Sequence, residues 1–423
     1  MKWYIHPLSR LFHVSGATYA PRMPSEPLHV AMVGTRGVPA RYGGFETAVE
    51  EIGSRLAARG HRVRTYCRRV PGTAIEATPP LTEYLGMELV TLPATRRRSL
   101  ETLSHTALSV AHLARHRTDV AFVFNAANAP LLPVLRAARI PVATHVDGLE
   151  WRRAKWGPAG QRYYRAAETT AVRLSDALIA DAQGIADYYR DEYGADSRLI
   201  TYGAPDLTDV GHERLAELDL APNGYHLVVA RFEPENHVDV IVEGYVAGDA
   251  ARPLVVVGSA PYSHGYTRRI SDIAASDPRV RMLGGVWDQE LLDQLYAGAL
   301  TYLHGHSVGG TNPSLLRAIG GGTATSAYDV AFNRDVLGDA GRYFRTPADV
   351  TARISEAEDD VAGCADRGKA LAERAVAYDW DLVADGYEQL ARDLAARKVP
   401  GPRPLARRRN APEWAPAVDP RNG

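Results

Sequence analysis

Short, unbroken apolar runs punctuate this chain, and between them apolar residues recur at helical spacing. The runs at 29–33, 63–67, 120–124, 142–146 and 177–180 read as buried parallel strands, because a strand covered on both faces is apolar throughout instead of alternating. Val49, Ile52 and Leu56 predict a helix over about 46–58, ended by Gly60, and the helices at 98–116 and 160–174 are the clearest of the others. The series breaks near Tyr202-Gly203-Ala204-Pro205. It restarts with runs at 227–230, 254–257, 280–283, 300–303 and 323–326. Alternating strands and helices imply an α/β fold, here two Rossmann-like, doubly wound domains facing a central cleft, at 27–204 and 205–378. A last helix at about 381–395 follows Tyr378-Asp379-Trp380.

Composition narrows the class. The chain has 423 residues, 45% hydrophobic and 23% charged, with a net charge of -1. That is enough for two cores, and it gives no reason to expect nucleic acid. Cys67 and Cys364 fall in different expected domains without metal spacing, so two unpaired thiols are expected. Lysine occurs only at Lys2, Lys155, Lys369 and Lys398, which limits any phosphate site to arginine and backbone amides. No apolar run approaches bilayer length. Residues 1–26 read as a disordered extension, with Met23 an alternative start, and 398–423, rich in Pro and Arg, as a solvated tail. A cytoplasmic chain, peripheral on the inner face of the membrane if it docks there, is the expected setting.

The stretch 304–319 carries the most chemistry. An apolar strand ends in Gly309-Gly310, Thr311 and Asn312 offer N-caps, and Pro313 opens a helix with Leu315, Leu316 and Ile319 inward. A helix start of this kind presents unpaired N–H groups and a positive dipole end, which is an anion site; an ordinary capped turn is the alternative. The loop 34–44 is also rich in glycine, but its spacing is not G-x-G-x-x-G. Arg68-Arg69 rather than an acid ends the second strand, which leaves an NADP reductase as a minor alternative.

Four stretches together resemble retaining GT-B glycosyltransferases of family 4, in the subgroup labelled rhamnosyltransferase-like. They are 33–47 (VGTRGVPARYGGFET), 146–151 (VDGLEW), 230–236 (ARFEPEN) and 304–319 (HGHSVGGTNPSLLRAI). The resemblance implies a GT-B fold, with the acceptor on the first domain, the nucleotide-sugar donor on the second, and 379–397 crossing back to the first. It implies sugar transfer from a nucleoside diphosphate to a hydroxyl of a saccharide or lipid-linked acceptor, rhamnose being the subgroup's usual sugar. Anomeric retention follows from the same resemblance, with no metal and no cofactor besides the donor substrate.

Residue by residue, the resemblance implies that Gly43 and Gly44 let backbone approach the donor. Arg231 clamps the diphosphate, a role that suits a planar guanidinium. The second clamp position holds Asn236 where the family has lysine. Gly258 and the backbone around Val286 sit where the nucleotide is held. His306, Gly309, Gly310, Thr311, Asn312, Pro313 and Ser314 line the donor turn, with Arg317 an addition to it. Asp147 or His145 orients the acceptor hydroxyl or the sugar; a buried histidine is the competing account of His145. The family's paired glutamates are both missing, since Gly309 and Arg317 occupy their positions. A non-catalytic nucleotide-binding subunit is therefore one alternative, and a nucleotide-sugar epimerase another.

Four further patterns rest on chemistry alone. His304 and His306 form H-x-H but lack an evident third ligand. Asp379-Trp380-Asp381 is formally D-x-D, yet opens a helix, where capping is the simpler role. Asp329 suits either a donor contact or a turn. Residues 96–173 hold thirteen Arg or Lys against five acids, interleaved with Trp151, Trp156, Tyr163 and Tyr164. An anionic membrane surface fits this composition, as does a solvated face.

Overall fold

The computed structural model describes residues 26–40, 43–69, 80–95, 98–146, 148–153, 156–258 and 264–399. Most of the two expected terminal extensions lies outside them, as do Arg41 and Asp147. The first half contains β1 (His29–Val33), α1 (Gly44–Ala58), β2 (Arg62–Arg69), β3 (Glu83–Tyr84), β4 (Met87–Pro93) and α2 (Arg98–Arg115). It continues with β5 (Val120–Phe124), α3 (Leu132–Ala137), β6 (Val142–Val146), α4 (Pro158–Leu174), β7 (Ala177–Ala180), α5 (Gln183–Tyr193) and β8 (Arg198–Leu199). The strands form one sheet in the order β3-β4-β2-β1-β5-β6-β7-β8, with only the β3–β4 pair antiparallel.

The second half begins with β9 (His226–Val229), α6 (Val238–Val246), β10 (Leu254–Val257), α7 (His264–Ala274), β11 (Val280–Gly284) and α8 (Gln289–Ala297). It then runs through β12 (Thr301–His304), α9 (Pro313–Gly320), β13 (Ala324–Tyr328), α10 (Ala331–Leu337) and β14 (Arg342–Phe344). The helices α11 (Pro347–Asp359), α12 (Val361–Ala375) and α13 (Trp380–Ala395) complete the chain. Its parallel sheet has the order β11-β10-β9-β12-β13-β14. Every expected strand is present. β4, which was not expected, alternates buried Met87 and Leu89 with exposed Glu88, so it lacks the continuous apolar run of its neighbours.

In each sheet the winding reverses once. β1 lies between β2 and β5, and β9 between β10 and β12. The loops that leave the carboxyl ends of such neighbouring strands diverge to opposite faces and open a crevice. The loops following β9 and β12 hold Arg231 and the 304–319 stretch, so the topology brings the two together.

The halves share apolar packing. One cluster unites Val30, Phe122 and Phe124 of the first sheet, Leu315, Leu316 and Ile319 of α9, and Trp380, Val383, Tyr387, Leu390 and Leu394 of α13. α13 starts with the Asp379 carboxylate accepting the Asp381 N–H at 2.6 Å, so D-x-D here is a helix cap. It is pinned to α1 by Arg59, which pairs with Asp385 at 2.8 Å and Glu388 at 3.1 Å. Cys67 and Cys364 are buried and unpaired.

Trp380 anchors this joint: a Cβ on Gly203 would stand only 2.4 Å from its indole. Trp380→Ala is expected to cost about 3–5 kcal/mol, the range for emptying a buried aromatic site, read as a lower urea midpoint; an unchanged midpoint would remove α13 from the list of stabilising elements. Buried histidines predict an acid limit. Burial lowers the pKa of His105 to about 4 and those of His145 and His304 to about 3. All three stay neutral in the fold, while the unfolded chain protonates them near pH 6.5. The unfolded state then binds more protons between pH 6.5 and about 4, so stability is full above that window and falls as pH drops through it. The slope is about 1.4 kcal/mol per pH unit for each histidine. His105→Gln should shallow the urea midpoint's fall between pH 7 and 5; a parallel curve would contradict the assignment.

Candidate functional site

The turn between β12 and α9 is assembled from both halves. Asn312 caps α9, its side-chain oxygen accepting the Ser314 N–H at 2.9 Å, and Pro313 takes the first turn. Gly309 has φ +127°, a conformation that side chains resist. A Cβ on Gly310 would lie 2.1 Å from the Asp181 carboxylate, just past β7, so only glycine fits there. The Thr311 hydroxyl donates to the Asp181 carbonyl at 2.8 Å. Pro313 reaches Gly44, whose Cβ position is 3.1 Å from Pro313 Cγ, and the Gly309 carbonyl faces Gly148. Ser314 lies against the phenols of Tyr296 and Tyr302. First-half loops following β1, β6 and β7 thus hold this turn in place.

The loop after β9 knits onto that turn. Asn236 donates to the Arg231 carbonyl at 2.7 Å and accepts from His306 Nδ1 at 2.8 Å. The Ser307 N–H and hydroxyl both donate to the Glu235 carbonyl, at 2.9 and 3.1 Å. Asn236, expected as a phosphate donor, is therefore a buried brace that sets the shape of the loop. Burial, followed by the charge of Arg153, holds the His306 pKa well below its ordinary value. The ring is neutral. With Nδ1–H given to Asn236, Nε2 is left as an acceptor beside Gly309. Arg231 keeps 47% of its side chain exposed and stands 3.8 Å from Glu233.

Other expected residues fall elsewhere. Arg317 pairs with Asp293 of α8 and faces that helix. Its charge is thereby paired within the second half. His145 is 1% exposed. Its Nδ1 shares a hydrogen bond with the Tyr387 hydroxyl at 2.8 Å, and its ring packs on Phe45 and Tyr202. Of the two accounts of His145, this placement suits the buried one. Gly43 is the N-cap residue of α1. The loop before it is drawn in by α1 itself, with the Arg36 and Ala40 amides donating to Glu46 and Glu50 at 3.0 and 2.6 Å. Gly258, at φ +152°, passes so close to the Ala230 carbonyl that a Cβ would lie 1.8 Å from it. Val286 packs at the edge of an apolar cluster with Leu283. Asp329 pairs with Arg334 and Arg345. In the basic region, Arg152 and Arg165 stack on Trp151.

Two contributors escaped the sequence reading. Asp181 follows the apolar run of β7, and a rule that inspects every strand's carboxyl end would have found it. Arg153, counted only as part of a basic stretch, crosses to the second half. It pairs with Glu150 of its own loop, and lies 3.7 Å from Glu233 and 3.3 Å from Glu235.

Comparison with known proteins agrees with this fold. Residues 43–203 match the glycosyl transferase 4-like domain. No curated protein matches by sequence. Sucrose-phosphate synthase from Thermosynechococcus elongatus superposes with a TM-score of 0.76 at 20% identity, covering 88% of this chain and 100% of that one. HepE from Anabaena in complex with UDP gives 0.65 at 15%, covering 87% and 100%. The trehalose 6-phosphate synthase from Burkholderia multivorans gives 0.66 at 13%, covering 88% and 100%. The chain thus has a two-domain GT-B fold, with the match to the glycosyl transferase 4-like domain lying in its first half.

Proposed function

We propose that the chain is a glycosyltransferase that moves a sugar from a nucleoside diphosphate to an acceptor hydroxyl. The observation that carries this reading is the convergence at the β9–β12 crevice of Arg231 and the start of α9. A guanidinium and a helix N-terminus facing one crevice suit a linked pair of phosphates. A solved neighbour, HepE, holds UDP-glucose, which supports a nucleotide-sugar donor. The protein's part in the reaction is to stabilise the charge that grows on the departing diphosphate, with preorganised amides and Arg231. Neutral His306 offers Nε2 to a donor hydroxyl. Retention, with the leaving diphosphate taking the acceptor's proton, rhamnose as the sugar, and operation without a metal or cofactor belong to this proposal through the family resemblance. So does an acceptor on a membrane reached through residues 96–173. Among the described residues no helix is long and apolar enough to cross a membrane.

One observation favours a second reading. Position 317 carries an arginine tied to Asp293, and position 309 a glycine, so both family carboxylates are absent and a donor-binding chain without turnover is consistent with that. Donor hydrolysis or transfer by the purified chain separates the two.

The test is a panel of nucleotide sugars and nucleoside diphosphates scored by thermal stabilisation, since a ligand that binds only the fold raises its melting temperature. Arg231→Ala is expected to weaken the best diphosphate by about tenfold or more, the loss of one charge-assisted pair, with the melting temperature of the free protein nearly unchanged. Absence of stabilisation by every compound, or equal affinity of wild type and variant, would overturn the reading.

A further inference from the structure

We propose that Arg153 and Arg231 grip one anionic group from opposite halves of the protein, and that the Glu233 carboxylate holds the place a donor phosphate takes. This deepens the donor-site reading above and rests on it. Glu233 is 7% exposed. Its Oε2 lies 3.7 Å from Arg153 Nη1 and 3.8 Å from Arg231 Nη2. Among the described residues that oxygen accepts no hydrogen bond. A buried carboxylate oxygen without one is costly, and here two guanidinium forks stand just beyond reach of it.

The gap has a size argument. As placed here, the Glu233 Oε2 meets neither fork at hydrogen-bond distance. A phosphate is larger and carries oxygens in all directions, so each fork can close on its own edge. The forks come from different halves: Arg153 lies between β6 and α4, and Arg231 follows β9. Arg153 is aimed by Glu150 and by Glu235, at 3.3 Å. Both guanidiniums also act electrostatically on buried His306, which places them on the flank of the donor turn.

Among the described residues Glu150, Glu233 and Glu235 stand beside the two arginines, so an entering diphosphate competes with the Glu233 carboxylate for them. Glu233 then acts as a competitor tethered to the site. Its removal should strengthen diphosphate binding, whereas a purely structural glutamate would on removal leave affinity unchanged or weakened. The role of Arg153 is equally specific. It should matter for diphosphates more than for monophosphates, since the second phosphate is the one that reaches across.

The experiment titrates the full chain with UDP, GDP, ADP and dTDP, and with the monophosphate matching the tightest binder. Glu233→Gln should tighten the best diphosphate by about fivefold or more, and Arg153→Gln should weaken it by about tenfold or more while affecting the monophosphate less. Arg153→Lys, which keeps charge but loses the fork, should fall between. If Arg153→Gln does not fold, Glu233→Gln decides alone. Affinities within twofold of wild type for both variants, with Arg231→Ala still weakened, would overturn the clamp and leave the donor reading standing. Absence of binding of all four diphosphates to wild type would overturn both.

Discussion

The candidate site exists only where the turn before α9 meets the end of β7. Gly310 lies against the Asp181 carboxylate, Thr311 donates to the Asp181 carbonyl, and Pro313 rests on Gly44. Each contact joins a residue of the second sheet's half to one of the first. Packing this close tolerates no added atom at Gly310, because interiors at native density cannot yield by a methyl group without moving backbone. This turn therefore has its shape set from outside its own half.

Electrostatics at this junction is a contest among buried groups. Arg153 crosses between halves into a set of carboxylates on the second, and removing two charges from water costs several kcal/mol per ion unless the pairing is close. At Glu233 the pairing is loose. The histidines nearby avoid the cost by remaining neutral: His304 and His306 both have pKa values pushed down by burial. A neutral imidazole can brace Asn236 with one nitrogen and accept a hydroxyl with the other, which a charged one could not. Among the described residues, Arg153 and Arg231 are the arginines whose charge acts on His306.

Much of the architecture was legible from patterning, and the exceptions have physical causes. Parallel strands covered on both faces are apolar end to end, so β1, β5, β6, β7 and β10 stood out. β4 alternates near the sheet edge and did not. Asn312 and Asp379 were readable as caps, since capping is a local matter between a side chain and amides two or three residues on. Arg317 and Asn236 were assigned toward a ligand by position in a motif. Their partners, Asp293 and His306, lie 24 and 70 residues away, beyond what local spacing can reveal.

Periodicity and glycine placement along the chain were sufficient for two doubly wound sheets, a capped turn at 309–314, and an arginine just past β9. Those properties arise from hydrogen bonding and burial within each short segment, so a one-dimensional reading reaches them. The packed molecule alone decided which charges face one another. Arg153 meets Glu233 across 80 residues, and Asp181 meets Thr311 across 130. Such pairings follow from how the halves dock, and docking is settled by the shared apolar cluster of α9 and α13 rather than by any neighbour in sequence.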